Sequence, residues 1–211
     1  MARDELSLPE TVEMFLHVCR RMEENKEMLT RADQAIGDGD HGIGMARGFQ
    51  AAGEKLRATP FANLDELLKA IGLALLNSIG GASGAVFGTF FLSGGKGLTG
   101  RQTFDSAALA RLLADGLQAV QQRGKAPLGS KTMVDALAPA AAKAANMATA
   151  PLGEALAAVA EAAREGMEAT KGMVATVGKA KTLGERSLGY ADPGAVSTYL
   201  ILKSMAEYVT A

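Results

Sequence analysis

Apolar residues recur every three or four positions along most of this chain. Such spacing places them on one face of an α-helix, whereas a half-buried strand needs strict alternation. Nearly one residue in five is alanine, and β-branched residues rarely alternate with polar ones, which favours helices over strands. The 211 residues are therefore predicted to form an all-α protein, with one domain over residues 1–211.

Eight helices are predicted from this spacing and from local capping signals. Ser7-Leu-Pro-Glu10 has capping-box spacing for the first helix, and Asn63 followed by Glu66 marks the start of the third. Pro139 lies inside the sixth and predicts a kink. The helices are expected at about Leu8–Thr30, Gly42–Leu56, from Leu64 through Leu75, Ser83–Ser93, from Phe104 to the loop at Arg123, Thr132–Met147, Gly153–Val174 and Gly194–Val209.

Helices joined by mostly short loops suggest an antiparallel up-and-down bundle or helical barrel. A chain that alternates direction places every second loop at the same end. The loops before helices two, four, six and eight should therefore converge, and these four loops carry the unusual chemistry of the sequence.

The loop before the second helix contains three acids, Asp33, Asp38 and Asp40, and the adjacent His41. Carboxylates at this spacing can supply several oxygen ligands to one hard cation such as magnesium. A polar turn with an aspartate cap is the alternative, and an EF-hand is excluded because no acidic residue closes the loop. The third acid and the surrounding glycines favour a metal site, while a role for His41 at nucleotide or metal is left open.

Glycines and cations mark the other three loops. Gly80–Gly84 precedes an apolar helix and could leave backbone N–H groups open to a phosphate, although tight helix packing explains it equally well. Lys125 and Lys131 offer cations near a helix start, but lysines in loops are usually only solvated. In the last loop, Arg186 could reach a phosphate with two hydrogen bonds.

Bulk properties exclude several classes of function. The net charge is −1, which favours neither nucleic acid nor an anionic membrane as a partner. The single cysteine, Cys19, excludes an internal disulfide and fits a reducing compartment. No apolar stretch is long enough to cross a bilayer. We therefore expect a cytoplasmic protein.

Several motifs, in order, resemble those of a known family. They are Ile36-Gly-Asp-Gly-Asp-His-Gly42, Gly80-Gly-Ala-Ser-Gly84, Phe87-Gly-Thr-Phe-Phe91, Arg123-Gly-Lys125, Lys131-Thr-Met133, Leu183-Gly-Glu-Arg-Ser187 and Asp192-Pro-Gly-Ala195. Together they resemble the nucleotide-binding L subunit of bacterial dihydroxyacetone kinase, whose domain also forms the C-terminal half of single-chain kinases. The resemblance covers about Leu16 to Met205.

The resemblance implies eight antiparallel helices in a barrel with ADP or ATP at one end. It implies two Mg²⁺ ions held by Asp33, Asp38 and Asp40. The nucleotide pocket would be lined by His41, Gly42, Ile43, Gly44, Ala82, Ser83, Gly124, Met133, Arg186, Asp192, Pro193 and Gly194. The ketose would be bound by a separate K subunit, so no catalytic residue is assigned here beyond Arg186 as a candidate phosphate stabiliser.

The expected function is phosphoryl transfer from the nucleotide to a short ketose on the K subunit, with a phosphohistidine-carrying phosphotransferase subunit regenerating ATP in place. An ATP-dependent dihydroxyacetone or tetrulose kinase and a nucleotide-sensing regulatory module are the alternatives. The related nucleotide domain of fatty-acid kinases and a purely structural bundle fit less well. A homodimer is left open.

Overall fold

The helices form a closed ring in which most helices pack on the next one along the chain. The computed structural model describes residues 3–211 and contains nine α-helices in that range. From α3 onward each helix packs on its chain neighbour, and α9 returns to pack on α1. The all-α prediction is confirmed. The helices are α1 Leu8–Glu24, α2 Lys26–Gln34, α3 His41–Ala58, α4 Leu64–Ser78, α5 Gly81–Lys96, α6 Ser106–Gly124, α7 Met133–Asn146, α8 Leu152–Ala169 and α9 Pro193–Thr210.

The first predicted helix is divided in two at Asn25. The Asn25 side chain donates to the Arg21 carbonyl oxygen at 2.8 Å, which ends α1, and Asn25 itself precedes α2. Asparagine competes for backbone hydrogen bonds in this way, so it commonly interrupts helices. Both α1 and α2 pack on α3 and α9 but scarcely on each other. They therefore lie end to end, and the alternation of direction around the ring is preserved.

The capping signals are confirmed at both helix starts. Ser7 accepts a hydrogen bond from the Glu10 backbone N–H while the Glu10 carboxylate accepts one from the Ser7 backbone N–H, and Asn63 caps α4. The short antiparallel pair of β1 (Glu5–Ser7) and β2 (Thr103–Asp105) was not predicted. Three residues per strand are too few to give a pattern in the sequence.

The chain between α8 and α9 differs from the prediction. The seventh predicted helix was expected to reach Val174 but ends at Ala169, where a 3-10 turn, Thr170–Gly172, follows. The predicted last loop, before the final helix, contains further 3-10 turns over Lys179–Ser187. α7 runs through Pro139, and the kink there stays a prediction.

The hydrophobic core lies inside the ring. Aromatic side chains occupy it edge to face: the ring centroids of Phe15 and Phe91 are 6.0 Å apart, and those of Phe90 and Phe91 are 4.9 Å apart. Such pairs add to the stabilisation from apolar burial. None of the helices within residues 3–211 is long and apolar enough to cross a membrane.

Candidate functional site

Four interhelical connections meet at one end of the ring, around a cavity of about 590 Å³. They are the connections before α3, α5, α7 and α9, which are the four loops that the sequence predicted to converge. The N-termini of these four helices open on the cavity, and the C-terminal ends of α4 and α6 complete its wall. Helix N-termini present unpaired N–H groups and a partial positive charge, so this end of the molecule suits an anion.

Three carboxylates stand together at the cavity edge. Asp33 lies in the last turn of α2 and is buried, whereas Asp38 and Asp40 follow in the α2–α3 loop and are exposed. Each offers an oxygen atom, and these atoms lie within 4.8 Å of one another. Asp33 is fixed in place because its Oδ2 accepts a hydrogen bond from the His41 backbone N–H at 3.1 Å. The cluster therefore fits a divalent cation, which prefers oxygen ligands.

A cation from the protein itself contacts this cluster. We call residues 170–190, which follow α8, the α8–α9 segment. The ammonium group of Lys179 in this segment bonds Asp38 and lies 3.1 Å from the Asp40 carboxylate. The hydrogen bond from Lys179 lowers the pKa of Asp38, and both carboxylates raise the pKa of Lys179. Sequence reasoning missed Lys179, since its distance of 141 residues from Asp38 leaves no local signal. The ammonium supports the inference that this position attracts positive charge.

His41, the first residue of α3, connects three elements of the site. Its Nδ1 lies 3.1 Å from the Ser83 hydroxyl at the start of α5, and its Nε2 lies 2.8 Å from the Ser197 hydroxyl in α9. Burial lowers the pKa of His41, so the ring is neutral at pH 7 and has one donor and one acceptor nitrogen. Both hydroxyls can therefore pair with it. Ser197 was not among the predicted site residues.

Glycines serve two separate purposes here. Gly80 and Gly81 adopt φ angles of +82° and +57°, which residues with a side chain rarely adopt, and they turn the chain into α5. Gly42 instead faces α2, because a Cβ there would lie 2.3 Å from the Lys26 carbonyl oxygen. The first pair shapes the cavity, and Gly42 allows two helices to approach closely.

Most of the predicted site residues are brought together around this cavity. Those on its wall are Asp33, Asp40, His41, Ile43, Gly44, Ala82, Ser83, Gly124, Met133, Asp192, Pro193 and Gly194. Asp38 stands with the other two acids at its edge. Gly42 and Arg186 are not part of the wall, and Arg186 is exposed on the outer part of the α8–α9 segment.

Other wall residues were not predicted. The side of the cavity formed by α5, α6 and α7 is apolar, with Val86, Val120, Ala126 and Val134. Val86, Val120 and Val134 occupy helical stripes like those of any core residue, and Ala126 lies in the α6–α7 connection, so the sequence held no signal for them. Lys131 was expected to be solvated like most loop lysines but is 2% exposed, because it lies under the α8–α9 segment.

Known proteins are similar to this chain in sequence. The ADP-binding subunit of PEP-dependent dihydroxyacetone kinase from Escherichia coli is 40% identical over 188 residues, which cover 85% of this chain and 87% of that protein. The corresponding subunit of kinase 1 from Listeria innocua is 39% identical, with 89% of both chains covered.

A solved structure is similar to this chain in fold. The dihydroxyacetone kinase of C. freundii in complex with AMP-PNP and Mg²⁺ superposes with a TM-score of 0.72 and 28% identity, over 93% of this chain. Our chain spans 33% of the length of that larger protein. Residues 35–207 match the DAK2 domain, and the chain therefore belongs to the DAK2 domain family.

Proposed function

We propose that this chain is the ADP-binding subunit of a multi-subunit dihydroxyacetone kinase, and that it supplies the phosphoryl group to a ketose held on a separate K subunit. One observation carries the proposal: three carboxylates with oxygen atoms within 4.8 Å stand beside four helix N-termini at a single cavity. A divalent cation and a polyphosphate are the ligands that suit such a site. The named function of the two bacterial relatives agrees with it.

The cavity has two chemically different sides that match the two ends of a nucleotide. The apolar side, with Val86, Val120 and Val134, would take the base, and its volume of about 590 Å³ is ordinary for a small-molecule site. The phosphates would lie at the opposite side, against the N-termini of α3 and α5. There the Ser83 hydroxyl, already paired with His41, is a hydrogen-bonding group for a phosphate oxygen.

Asp33, Asp38 and Asp40 would hold two Mg²⁺ ions, which when bound would neutralise charge on the phosphates. Phosphoryl transfer needs mainly positioning and charge neutralisation from this chain, so no general base is assigned to it. Arg186 remains a proposed phosphate contact. From its exposed position it would have to turn inward with the outer part of the α8–α9 segment.

Exposed apolar side chains lie on the helix ends and connections at the site end of the ring, and we call them the apolar rim. They are Ile43, Leu128, Leu188 and Tyr190, which are 48%, 62%, 41% and 48% exposed. Exposed apolar groups at the same end as a polar site suit a protein partner, and we assign the rim to the K subunit. A phosphohistidine-carrying subunit would bind the same end of the ring when it phosphorylates ADP to ATP. Whether the chain forms a homodimer is tested separately, by measuring its molar mass in solution.

Reconstitution tests the function. We expect dihydroxyacetone phosphate to form only when this chain, a K subunit, Mg²⁺ and a phosphoryl donor are all present. Comparing ATP with phosphoenolpyruvate plus phosphotransferase proteins identifies the donor, and replacing dihydroxyacetone by erythrulose tests the tetrulose alternative. Nucleotide binding without product in every combination would favour the sensing module instead.

The carboxylate cluster gives a sharper test. Asp38→Asn should reduce the activity more than about a hundredfold, because a bound metal commonly supplies several kcal/mol of charge stabilisation. Mg²⁺-dependent ADP binding by calorimetry should fall with it. Asp115→Asn is the control, since Asp115 pairs with Arg111 at 2.6 Å on α6 and is not part of the cavity wall. Stoichiometric Mg²⁺ and ADP on the Asp38→Asn variant would contradict the metal assignment.

A further inference from the structure

Lys131 lies on the cavity wall, but its ammonium group makes its hydrogen bonds to carbonyl oxygens of the protein itself. It lies between α6 and α7, is 2% exposed, and has a φ angle of +61°. That backbone region is unfavourable for a residue with a Cβ atom, and glycine or asparagine usually occupies it. A lysine kept there indicates that its side chain makes contacts which outweigh the unfavourable backbone.

Those contacts join two points that are far apart in the sequence. The Lys131 ammonium donates to the Thr170 carbonyl oxygen at 2.6 Å and to the Tyr190 carbonyl oxygen at 2.5 Å. Thr170 follows the last residue of α8, and Tyr190 lies three residues before α9. One side chain therefore binds both ends of the α8–α9 segment, residues 170–190.

Further hydrogen bonds close the base of this segment. The Asp192 N–H donates to the Thr170 hydroxyl at 2.9 Å, and the Gly189 N–H donates to the Lys171 carbonyl at 2.9 Å. The Thr176 N–H donates to the Ser130 carbonyl at 3.3 Å, next to Lys131 itself. The ends of the segment are thus held together and attached to the α6–α7 connection.

The middle of the segment reaches the site. Val177, Gly178, Lys179 and Ala180 form part of the cavity wall, and Lys179 contacts the two exposed carboxylates. We propose that Lys131 is a positioning residue that closes the base of the α8–α9 segment and thereby holds Lys179 at the carboxylate cluster. The functional part of this inference rests on the proposed nucleotide site, whereas the closure itself does not.

Amide hydrogen exchange tests the closure on the free protein. In Lys131→Met, which fills similar space without donors, exchange at Thr176, Gly189 and Asp192 should accelerate at least about tenfold, because a hydrogen bond to a charged group is lost. Exchange in α3 to α5 should not change. Lys171→Met is the matched control. Lys171 lies in the same segment, but its side chain forms an ion pair with the exposed Glu168 instead of bonding the base of the segment. Lys131→Arg, which keeps a charged donor, should recover part of the protection.

Two results would overturn the inference: unchanged exchange in the segment, or an equal acceleration throughout the helices, which would make Lys131 a contributor to general stability. If Lys131→Met does not fold, Lys131→Gly serves instead, because it relieves the unfavourable backbone while still removing the contacts.

Binding of Mn²⁺ and ADP, followed by electron paramagnetic resonance, then tests the consequence for the site. We expect at least about threefold weaker ADP binding in Lys131→Met than in Lys171→Met, because Val177, Gly178 and Ala180 of the cavity wall are then held less firmly.

The two proposals fail in different ways. If the unaltered chain bound neither Mn²⁺ nor ADP, the proposed function would be contradicted while the exchange result would still stand. If it bound both and Lys131→Met bound them equally well, Lys131 would have no positioning role at the site.

Discussion

His41 shows how a single residue can organise several parts of this site. Its backbone N–H fixes Asp33 of the carboxylate cluster, and its ring lies between the hydroxyls of Ser83 and Ser197. Burial lowers the pKa of His41, so the ring stays neutral. One of its nitrogens then needs a hydrogen-bond acceptor and the other needs a donor. Ser197 therefore influences the orientation of Ser83 through the His41 ring, although Ser197 is not part of the cavity wall.

Ser197→Ala should weaken ADP binding about fivefold, because a net hydrogen bond contributes roughly 1 kcal/mol and its loss frees the His41 ring. Titration calorimetry measures the affinity. Ser204→Ala is the control: Ser204 is equally buried in α9, but its hydroxyl bonds the Leu200 carbonyl within the same helix. Equal affinities for the two variants would mean that Ser197 does not act on the nucleotide site.

At the scale of the elements, α4 and α5 pack closely through glycine. A Cβ at Gly72 would lie 2.8 Å from the Leu92 backbone nitrogen, and one at Gly88 would lie 2.8 Å from the Leu76 Cβ. Neither neighbour can move cheaply, since one is backbone and the other is the first atom of its side chain. This close approach places the start of α5, with Ser83, beside the end of α4.

Gly88→Ala should destabilise the protein by about 1–3 kcal/mol, as expected for overpacking at a close helix contact. Gly53→Ala should instead stabilise it by about 0.5–1 kcal/mol. Gly53 lies inside α3, where an added Cβ would find its nearest neighbour, the Cys19 Cβ, at an ordinary 3.5 Å. Urea unfolding measures both changes. Equal effects of the two substitutions would show that close packing at α4–α5 does not control stability.

At the scale of the whole molecule, Asp192 links stability to pH. Its carboxylate caps α9 by accepting the Ala195 N–H at 2.8 Å, and burial of the group raises its pKa to about 7 from an ordinary value of 3.8. The folded state thus holds the proton more tightly than the unfolded state. Its contribution to stability is fully present below about pH 4 and is lost as the pH rises through about 7.

Asp192→Asn keeps a good cap but cannot ionise, so it should gain stability relative to the unaltered chain between pH 4 and pH 8. The expected gain in unfolding free energy is about 2 kcal/mol. This is half of the free energy that corresponds to the full pKa shift, because Asp192 keeps part of its surface exposed to solvent. Unfolding free energies at several pH values check this. Asp105→Asn, at the cap of α6 beside Arg101, is the control and should lose an ion pair instead. A constant difference for Asp192→Asn across this range would contradict the prediction.

Several features of the fold and the site depend on residues that lie close together along the chain, and these features could be predicted. Apolar spacing predicted the helices apart from the break at Asn25 and the early end of α8, and residues three positions apart predicted the caps at Ser7 and Asn63. The carboxylates of Asp33, Asp38 and Asp40 were found for the same reason, since they lie within eight residues of one another. Counting helices then predicted that their loop meets three others. The break at Asn25 did not alter that result, because α1 and α2 continue end to end.

Contacts between residues that are distant in the sequence became known from the three-dimensional structure. Lys179 reaches the carboxylates across 141 positions, and Ser197 reaches His41 across 156. Lys131, an ordinary loop lysine in the sequence, becomes buried because two ends of another segment close over it. The physical reason is that helical periodicity and capping act over about one turn, whereas the closure of the ring sets every contact between elements.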